Sequence, residues 1–288
     1  MRIILSRKGV DSGIKSGGIA SPILGDSLVS LPIPSGAQGE ITYDDLDFGR
    51  HSFGKIVEDL TGRRLRRTRC VHLDPDLRRT ARKRMHGWRP IFGQAGASEA
   101  HLRNRGVTVG DLFLFFGWFK DVEIRDGKYG FRPSARNLHV IFGWLQIGAV
   151  LNLGGRPFSK IPWAADHLHF YGGFGTVYIA SDNLRIGGRS YDIPGAGAFR
   201  RYDEALRLTD PEGRGRSYWR LPGWLYPRKG RSPLSYHPDV GAFTRKGKET
   251  VLRSTARGQE YVLDTHEYPD AIGWARQLIA SNASNSDL

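Results

Sequence analysis

The feature that most restricts the fold is a pair of apolar stretches that both carry the tripeptide Phe-Gly-Trp. The first runs from Gly110 to Phe119 and the second from His139 to Gly148. In the first stretch the apolar residues are continuous rather than alternating, which in a strand means that both faces are covered. Gly117 and Gly143 occupy corresponding positions, where a missing side chain permits a bulge or the close approach of another backbone or a ligand. Both stretches are therefore predicted to be central strands.

The region around these strands, residues 107–264, consists mostly of short apolar segments separated by clusters of glycine and proline. Many short strands joined by such turns are typical of a barrel or a sandwich. The sequence therefore predicts an α+β fold with a mixed β-barrel core and peripheral helices, in a single domain over residues 1–280. Its predicted parts are a long Gly/Pro-rich N-terminal segment, a basic helical segment at 55–106, the barrel core at 107–264, a C-terminal helix at 268–281 and a disordered tail at 282–288.

The clearest helix signal is the stretch HLDPDLRRTARKRMHG, residues 72–87. Asp74 has a side chain favoured at an N-cap, and Pro75 is favoured at the first helical position. Gly87 follows the last basic residues as a stop signal. We expect a helix between Asp74 and Gly87 that docks on the core and shows a basic outer face.

Positive charge is concentrated near this segment. The chain has a net charge of +14, and residues 61–90 contain eleven Arg and Lys against two Asp, which gives 11 − 2 = +9. Guanidinium groups bind phosphate oxygens bidentately and stack on bases, so the expected partner is nucleic acid, DNA or RNA. A solubilising basic helix or contact with anionic lipid is the alternative. The candidate contacts to a nucleic-acid backbone are Arg63, Arg64, Arg66, Arg67, Arg69, Arg78, Arg79, Arg82, Lys83 and Arg84.

Other compositional features exclude several classes of protein. The longest apolar stretch, residues 138–153, is shorter than a bilayer span and contains polar residues, so no membrane partner is expected. The first residues lack the apolar core of a secretory signal. The single cysteine, Cys70, fits a reducing compartment. We therefore expect a cytoplasmic location, and the sequence does not indicate an oligomeric state.

Two tryptophans of the paired strands suggest a pocket for a base. Trp118 and Trp144 each follow a strand glycine, and Gln146 lies two residues after Trp144, on the same strand face. These side chains could enclose a base between two indole rings, with an amide that reads its edge. The alternative is a packed core in which the glycines permit the strands to coil. Asp111 and Gln259 complete the candidate set.

Charged residues after the first strand and on a late strand are the catalytic candidates. Arg7, Lys8 and Asp11 leave the first strand together, and a cation pair beside a carboxylate can hold a phosphate and polarise a bond. The alternative is a simple turn at Asp11. Glu260 is the candidate general base, because a carboxylate at the mouth of a barrel can accept a proton near neutrality. An Arg257–Glu260 structural ion pair is the alternative.

Two groups have the spacing of metal ligands. His72, Asp74 and Asp76 form an H-x-D-x-D pattern, although helix capping explains both aspartates without a metal. His167 and His169 point the same way if the chain is extended, but paired histidines in an aromatic segment are more often structural. The sequence favours neither group as a metal site. It predicts no cofactor, and it leaves open whether the protein binds a divalent metal ion. Zinc-dependent base deamination is excluded, because that signature requires two cysteines.

Longer motifs resemble a known family. SRKGVD at 6–11, SPILGDSLVSLPIP at 21–34, HLDPDL at 72–77, FGQAGASEAHLRNRGVTVGDLFLFFGWF at 92–119 and RGQEYVLD at 257–264 resemble the third of the nucleotide modification associated domain families. Residues 106–155 also resemble the core of PUA-like domains such as EVE, ASCH and YTH, in which a barrel cleft holds a flipped base. The resemblance implies a modified-nucleotide context without an established reaction.

Three functional hypotheses follow from these observations. The first is a nucleic-acid-binding protein of a base-modification system that takes a modified nucleobase into a barrel cleft. The second is an enzyme that modifies, trims or excises such a base in DNA or tRNA. The third is a metal-dependent nuclease or hydrolase, which would use one of the histidine groups.

Overall fold

A computed structural model describes residues 1–36, 41–154, 161–164, 167–255, 260–283 and 286–287. In these ranges the four α-helices are α1 Phe53–Leu60, α2 Gly96–Asn104, α3 Leu168–Gly172 and α4 Asp270–Asn282. The strands are β1 Arg2–Arg7, β2 Ser21–Leu24, β3 Ser27–Leu28, β4 Ile33–Pro34, β5 Asp47–Phe48, β6 His51–Ser52, β7 Val71–His72, β8 Ile91–Gln94, β9 Leu112–Arg125, β10 Lys128–Phe131, β11 Leu138–Asn152, β12 Thr176–Ala180, β13 Asn183–Ile186, β14 Arg189–Pro194, β15 Ala196–Phe199, β16 Tyr218–Pro222, β17 Phe243–Lys246, β18 Glu249–Arg253, β19 Glu260–Asp264 and β20 Ser286–Asp287.

The two Phe-Gly-Trp stretches form the centre of the main sheet, as β9 and β11. The sheet order is β19-β1-β9-β11-β12-β8, with β1 and β9 parallel and the other neighbours antiparallel. The apolar run of β9 is buried on both faces, as its lack of alternation predicts. Phe113 and Phe115 pack edge-to-face on Phe92 of β8, with ring centroids 5.0 and 5.2 Å apart. Burial of each such ring stabilises the fold by roughly 1.5–3 kcal/mol.

The predicted closed barrel is wrong, whereas a mixed α/β fold dominated by sheet is correct. In the described part of the chain the sheet has two ends, β8 and β19, and no backbone ladder joins them. A side-chain hydrogen bond connects the two end strands, because Gln94 Nε2 of β8 donates to Glu260 Oε1 of β19 over 2.6 Å. The PUA-like relationship stays a prediction. No helix in the described ranges is long and apolar enough to cross a membrane.

The predicted helix between Asp74 and Gly87 is also wrong. The chain is extended at Asp76, whose backbone exchanges hydrogen bonds with Ile91, and only Arg79–Ala81 form a single 3-10 turn. The carboxylate of Asp74 does not cap a helix, because it is engaged by Gly93 and by histidines. Near the C-terminus, α4 is present, and β20, within the tail predicted to be disordered, pairs with β15.

Candidate active site

Lys8 occupies the point where β1 leaves the central sheet. Its backbone N–H donates to the carbonyl of Phe116, and a Cβ added at Gly117 would lie 2.8 Å from the carbonyl oxygen of Lys8. The glycine of the first Phe-Gly-Trp tripeptide therefore admits a neighbouring backbone. The Lys8 side chain extends toward Phe92, and its ammonium nitrogen lies 4.8 Å from the ring centroid.

Glu260 holds this lysine in place. Its side chain is fully buried, and Oε1 accepts hydrogen bonds from Lys8 Nζ and Gln94 Nε2, both over 2.6 Å. Oε2 is buried without a hydrogen-bond partner among the described residues. Three elements that are distant in sequence, β1, β8 and β19, thus meet at one carboxylate. The alternative partner, Arg257, lies outside the described residues, as does Gln259.

Asp11 takes part both in the predicted turn and in the predicted cation-binding group. Its carboxylate forms ion pairs with Arg7 and with Arg216, the latter over 3.0 Å, and it also accepts the backbone N–H of Ser12. The guanidinium of Arg216 lies 4.1 Å from the ring centroid of Trp118. Asp11 therefore fixes two arginines at the edge of the site.

The two metal-ligand patterns found in the sequence converge in space. His72 ends β7, Asp74 follows two residues later, and His169 lies in α3. Both His72 Nε2 and His169 Nε2 lie 3.4 Å from Asp74 Oδ2, and one ligand atom from each of the three residues lies within 4.8 Å of the others. His167 Nε2 lies 3.9 Å from the other carboxylate oxygen, Oδ1. We call His72, Asp74 and His169 the metal-ligand cluster.

Backbone contacts orient the cluster. Oδ1 of Asp74 accepts the N–H of Gly93 over 2.9 Å, which leaves Oδ2 directed at the imidazole rings. His169 Nδ1 lies 2.9 Å from the carbonyl oxygen of Phe174, and because a carbonyl only accepts, Nδ1 carries the proton. Such a contact to the outer nitrogen is typical of metal-ligating histidines, since it fixes the tautomer. A neutral His169 then presents the Nε2 lone pair to the carboxylate.

This arrangement favours a positive charge, a proton or a cation, between the rings and the carboxylate. Two acceptors 3.4 Å apart repel unless a proton or a cation lies between them. Burial raises the pKa of Asp74, but the contacts with His169 and His72 and the charges of His72 and His167 outweigh it, so the pKa is lowered. Burial lowers the pKa of His169, but Asp74 outweighs it, so that pKa is raised. Both directions favour an ionised Asp74 beside a protonated His169, and a metal cation in place of the proton would satisfy the same pair.

Two of the three separations in the cluster have the value expected around a metal ion. Ligand atoms that each lie about 2.1 Å from a tetrahedral ion are roughly 3.4 Å from one another. The two nitrogen–carboxylate separations in the cluster have this value. A set of imidazole and carboxylate donors suits Zn²⁺, Fe²⁺ or Mn²⁺ rather than a soft ion. His72, Asp74 and His169 can therefore hold a divalent transition metal.

The close approach of His169 depends on a glycine in β8. A Cβ added at Gly93 would overlap the imidazole ring of His169. Phe174 packs on the same ring, with centroids 4.7 Å apart, and remains 40% exposed. Gly93 thus admits an imidazole side chain, whereas Gly117 admits a backbone.

The cluster opens into a cavity of about 530 Å³. A volume of this size accommodates a small-molecule ligand. Its principal polar and aromatic walls are Arg7, Lys8, His72, Asp74, Gln94 and Phe174. A second cavity of about 450 Å³ lies beside α4, and its described lining contains ion pairs but no histidine.

The structure separates the two tryptophans of the predicted base pocket. Trp144 is fully buried, packs on Phe199 and donates its indole N–H to the carbonyl of Pro194. Trp118 is partly exposed, and its indole N–H donates to Asn137. Trp144 is paired with Leu114, four residues from Trp118 along β9, so the tryptophans are roughly 13 Å apart along the strands.

The polar members of that predicted pocket are structural as well. The amide of Gln146 is buried, donates to the carbonyl of Gly110 and accepts the N–H of Arg185. Asp111 is buried and accepts backbone N–H groups of Arg2 and Thr108. These contacts satisfy both side chains within the fold.

The basic segment is divided between surface and interior. Arg78 is buried and donates to the carbonyl of Leu28, and Arg84 forms a bidentate ion pair with Asp76 over 2.6 and 2.7 Å. Asp76 is thereby removed from the predicted H-x-D-x-D metal set. Arg82 is partly buried. The exposed members are Arg63, Arg64, Arg66, Arg67, Arg69, Arg79 and Lys83.

Sequence reasoning missed Gly93, Gln94, Phe174 and Arg216. Gly93 carries a usable signal, because a glycine inside the apolar strand IFGQ indicates close approach of another group. The other three carry none, since their roles depend on the approach of distant segments. Asp166, a potential metal ligand next to His167 in the sequence, lies outside the described residues.

The fold and the site define a mixed α/β protein with a metal-ligand cluster and a fixed lysine around one cavity. The family model for nucleotide modification associated domain 3 matches residues 2–264, so the chain belongs to that family and is linked with nucleotide modification. The matched range includes every residue of the cluster and the Lys8–Glu260 pair. No curated protein and no solved structure shows significant similarity to the chain.

Proposed function

We propose that this protein is a metal-dependent enzyme that alters a nucleobase or its nucleotide in a base-modification system, and that the cavity at the metal-ligand cluster is its active site. The observation that carries the proposal is the convergence of His72, Asp74 and His169 on one cavity. Membership of the nucleotide modification family supports the substrate class. The nucleobase cleft predicted from sequence is thereby assigned to this cavity rather than to the paired tryptophans.

The charge of the site supports a phosphate-bearing substrate. With neutral histidines the formal charges cancel, 3 − 3 = 0, and a bound divalent ion leaves +2, which attracts an anion. The charged groups are Arg7, Lys8 and Arg216 on one side and Asp11, Asp74 and Glu260 on the other.

The chain's own residues have separable roles in this proposal. A metal held by His72, Asp74 and His169 would supply Lewis acidity and a water activated near neutral pH. Lys8, held by Glu260, presents a fixed positive charge to a developing negative charge on the substrate. Glu260 acts through Lys8 and Gln94, which makes it a positioning residue. Phe174 offers an exposed ring on which a base can stack.

A second candidate reaction is oxidative. Two histidines and one carboxylate that leave further positions open to a cavity also form the facial triad of non-haem Fe(II) oxygenases. The H-x-D spacing of His72 and Asp74, with a distant His169, has that composition. The two candidates differ in metal and co-substrate, because the oxidative reaction needs iron, dioxygen and a two-electron reductant.

The test compares wild type with Asp74→Asn and His169→Gln, each loaded in turn with Zn²⁺, Mn²⁺ or Fe²⁺. The control is His86→Gln, which changes an exposed histidine outside the cluster. DNA and RNA carrying natural modifications are incubated with each protein, and the nucleosides are quantified by mass spectrometry. Wild type and the control should produce a changed nucleoside, and the two ligand variants should not. A nucleoside change that persists in Asp74→Asn would refute the metal-dependent mechanism.

A further inference from the structure

The loop between α1 and β7 is the most concentrated positive surface in the described chain. Residues 62–69, GRRLRRTR, contain five arginines in eight positions, all exposed. Arg67 forms an ion pair with Asp44. Among the described residues no carboxylate lies within ion-pair distance of the other four, Arg63, Arg64, Arg66 and Arg69. Like charges held this closely repel, so binding of a polyanion relieves the repulsion.

This arginine loop, residues 62–69, adjoins the cavity by two routes. Arg64 donates to the carbonyls of Gly17 and Gly18, at the end of the loop whose residues Ser12, Gly13 and Ser16 line the cavity. The loop also leads directly into β7. Arg69 precedes the ligand His72 by three residues, which in extended chain is roughly 10 Å.

The loop differs from the other arginines of the basic segment. Arg78 and Arg84 are buried, and their guanidinium groups bind a carbonyl and a carboxylate of the chain. Their removal would damage the fold rather than report on a ligand. Arg63, Arg66 and Arg69 are exposed, and their side chains have no hydrogen bonds to the described chain that would hold the fold. A change at these three positions can therefore isolate a binding role.

We propose that the arginine loop binds the phosphate backbone of a nucleic-acid strand, so that the cavity acts on a nucleotide within a polymer rather than on a free nucleotide. The inference rests on the proposed function for the role of the cavity, whereas the binding itself does not require the metal. Phosphate contacts from this loop supply sequence-independent affinity, and the cavity selects the nucleotide.

The test measures the binding of fluorescent single-stranded DNA, single-stranded RNA and double-stranded DNA by anisotropy between about 50 and 200 mM salt. The variant is Arg63→Gln, Arg66→Gln, Arg69→Gln. The matched control removes the same charge from exposed positions outside the cavity lining, Arg185→Gln, Arg189→Gln, Lys248→Gln. Thermal unfolding establishes that both variants fold.

Wild type and control should bind at least one oligonucleotide alike, and the loop variant should bind it at least about tenfold more weakly, with a salt slope smaller by about 2–3. Binding is measured without added metal, so it reports on the loop and not on the cluster. Turnover that persists in metal-loaded Asp74→Asn would sink the proposed function while leaving this inference standing, and a loop variant that binds like the control would sink this inference while leaving the proposed function standing. Equal binding by loop variant and control, tighter binding to anionic vesicles than to any oligonucleotide, or equal affinity for a mononucleotide would overturn it.

Discussion

Two strands of the main sheet each contain a glycine against which another side chain packs, and they differ in what that side chain does. At Gly143 of β11 the space is taken by Leu77, since a Cβ there would lie 2.6 Å from Leu77 Cδ1 and 2.8 Å from the carbonyl of Gly197. At Gly93 of β8 it is taken by the imidazole of His169, beside an open cavity. A strand glycine thus shows that a group approaches closely. Whether the result is core or site depends on the chemistry of that group.

The largest difference in the free energy of unfolding should appear between alanine substitutions at the two tryptophans. Trp144→Ala removes a fully buried ring, so we expect the free energy of unfolding to fall by about 3–5 kcal/mol. Trp118→Ala removes a partly exposed ring packed on Arg216 and should cost about 1 kcal/mol or less. Chemical denaturation measures both. Equal losses, or loss of bound metal in Trp144→Ala, would restore the pocket interpretation of the paired strands.

Alanine substitution at one glycine should lower metal affinity, and at the other it should lower stability. In Gly93→Ala the new Cβ displaces His169, and we expect metal affinity to fall at least about 10–100-fold. In Gly143→Ala the new Cβ meets Leu77 and backbone, and we expect a loss of about 1–3 kcal/mol in the free energy of unfolding with metal affinity unchanged. Calorimetric metal titration and urea denaturation give the two quantities. A Gly93→Ala protein that binds metal like wild type would contradict the assignment.

A buried histidine of the core should differ from those of the site in its pH dependence. Burial lowers the pKa of His237 from its ordinary 6.5 to about 4. Above pH 6.5 the ring is neutral in both states, and below it the unfolded chain binds a proton that the folded chain does not. Stability should therefore fall as the pH drops from 6.5 toward 4, by at most about 2 kcal/mol at pH 5.

The matched variant is His237→Phe, which keeps the ring stacked on Tyr261. It should lose less stability than wild type between pH 7 and pH 5 in denaturation curves. Identical slopes for the two proteins would show that His237 is not the group responsible.

The sequence predicts local features well and their convergence poorly. The lack of alternation in residues 112–119 identifies a strand buried on both faces, because periodicity is a local property. The failure of the helix at Asp74 has a physical cause, since the capping signals are outweighed by the backbone pairing of Asp76 with Ile91. Tertiary contacts of this kind override local propensity.

The site shows the same limit. His72 with Asp74, and His167 with His169, appear in the sequence as two weak patterns about a hundred residues apart. The packing of α3 against β8 brings His169 to Asp74, and the glycine that permits it, Gly93, lies far before His169 in the sequence. Nothing local in either pattern encodes that approach.

Metal binding by His72, Asp74 and His169 is tested most directly by anomalous diffraction from crystals of the protein loaded with Zn²⁺, Mn²⁺ or Fe²⁺. We predict one metal peak about 2.0–2.2 Å from His72 Nε2, His169 Nε2 and Asp74 Oδ2. The same loading should leave Asp74→Asn crystals without this peak and His86→Gln crystals with it. A loaded wild-type crystal whose cluster shows no peak, or a peak that survives in Asp74→Asn, would contradict metal binding by this cluster.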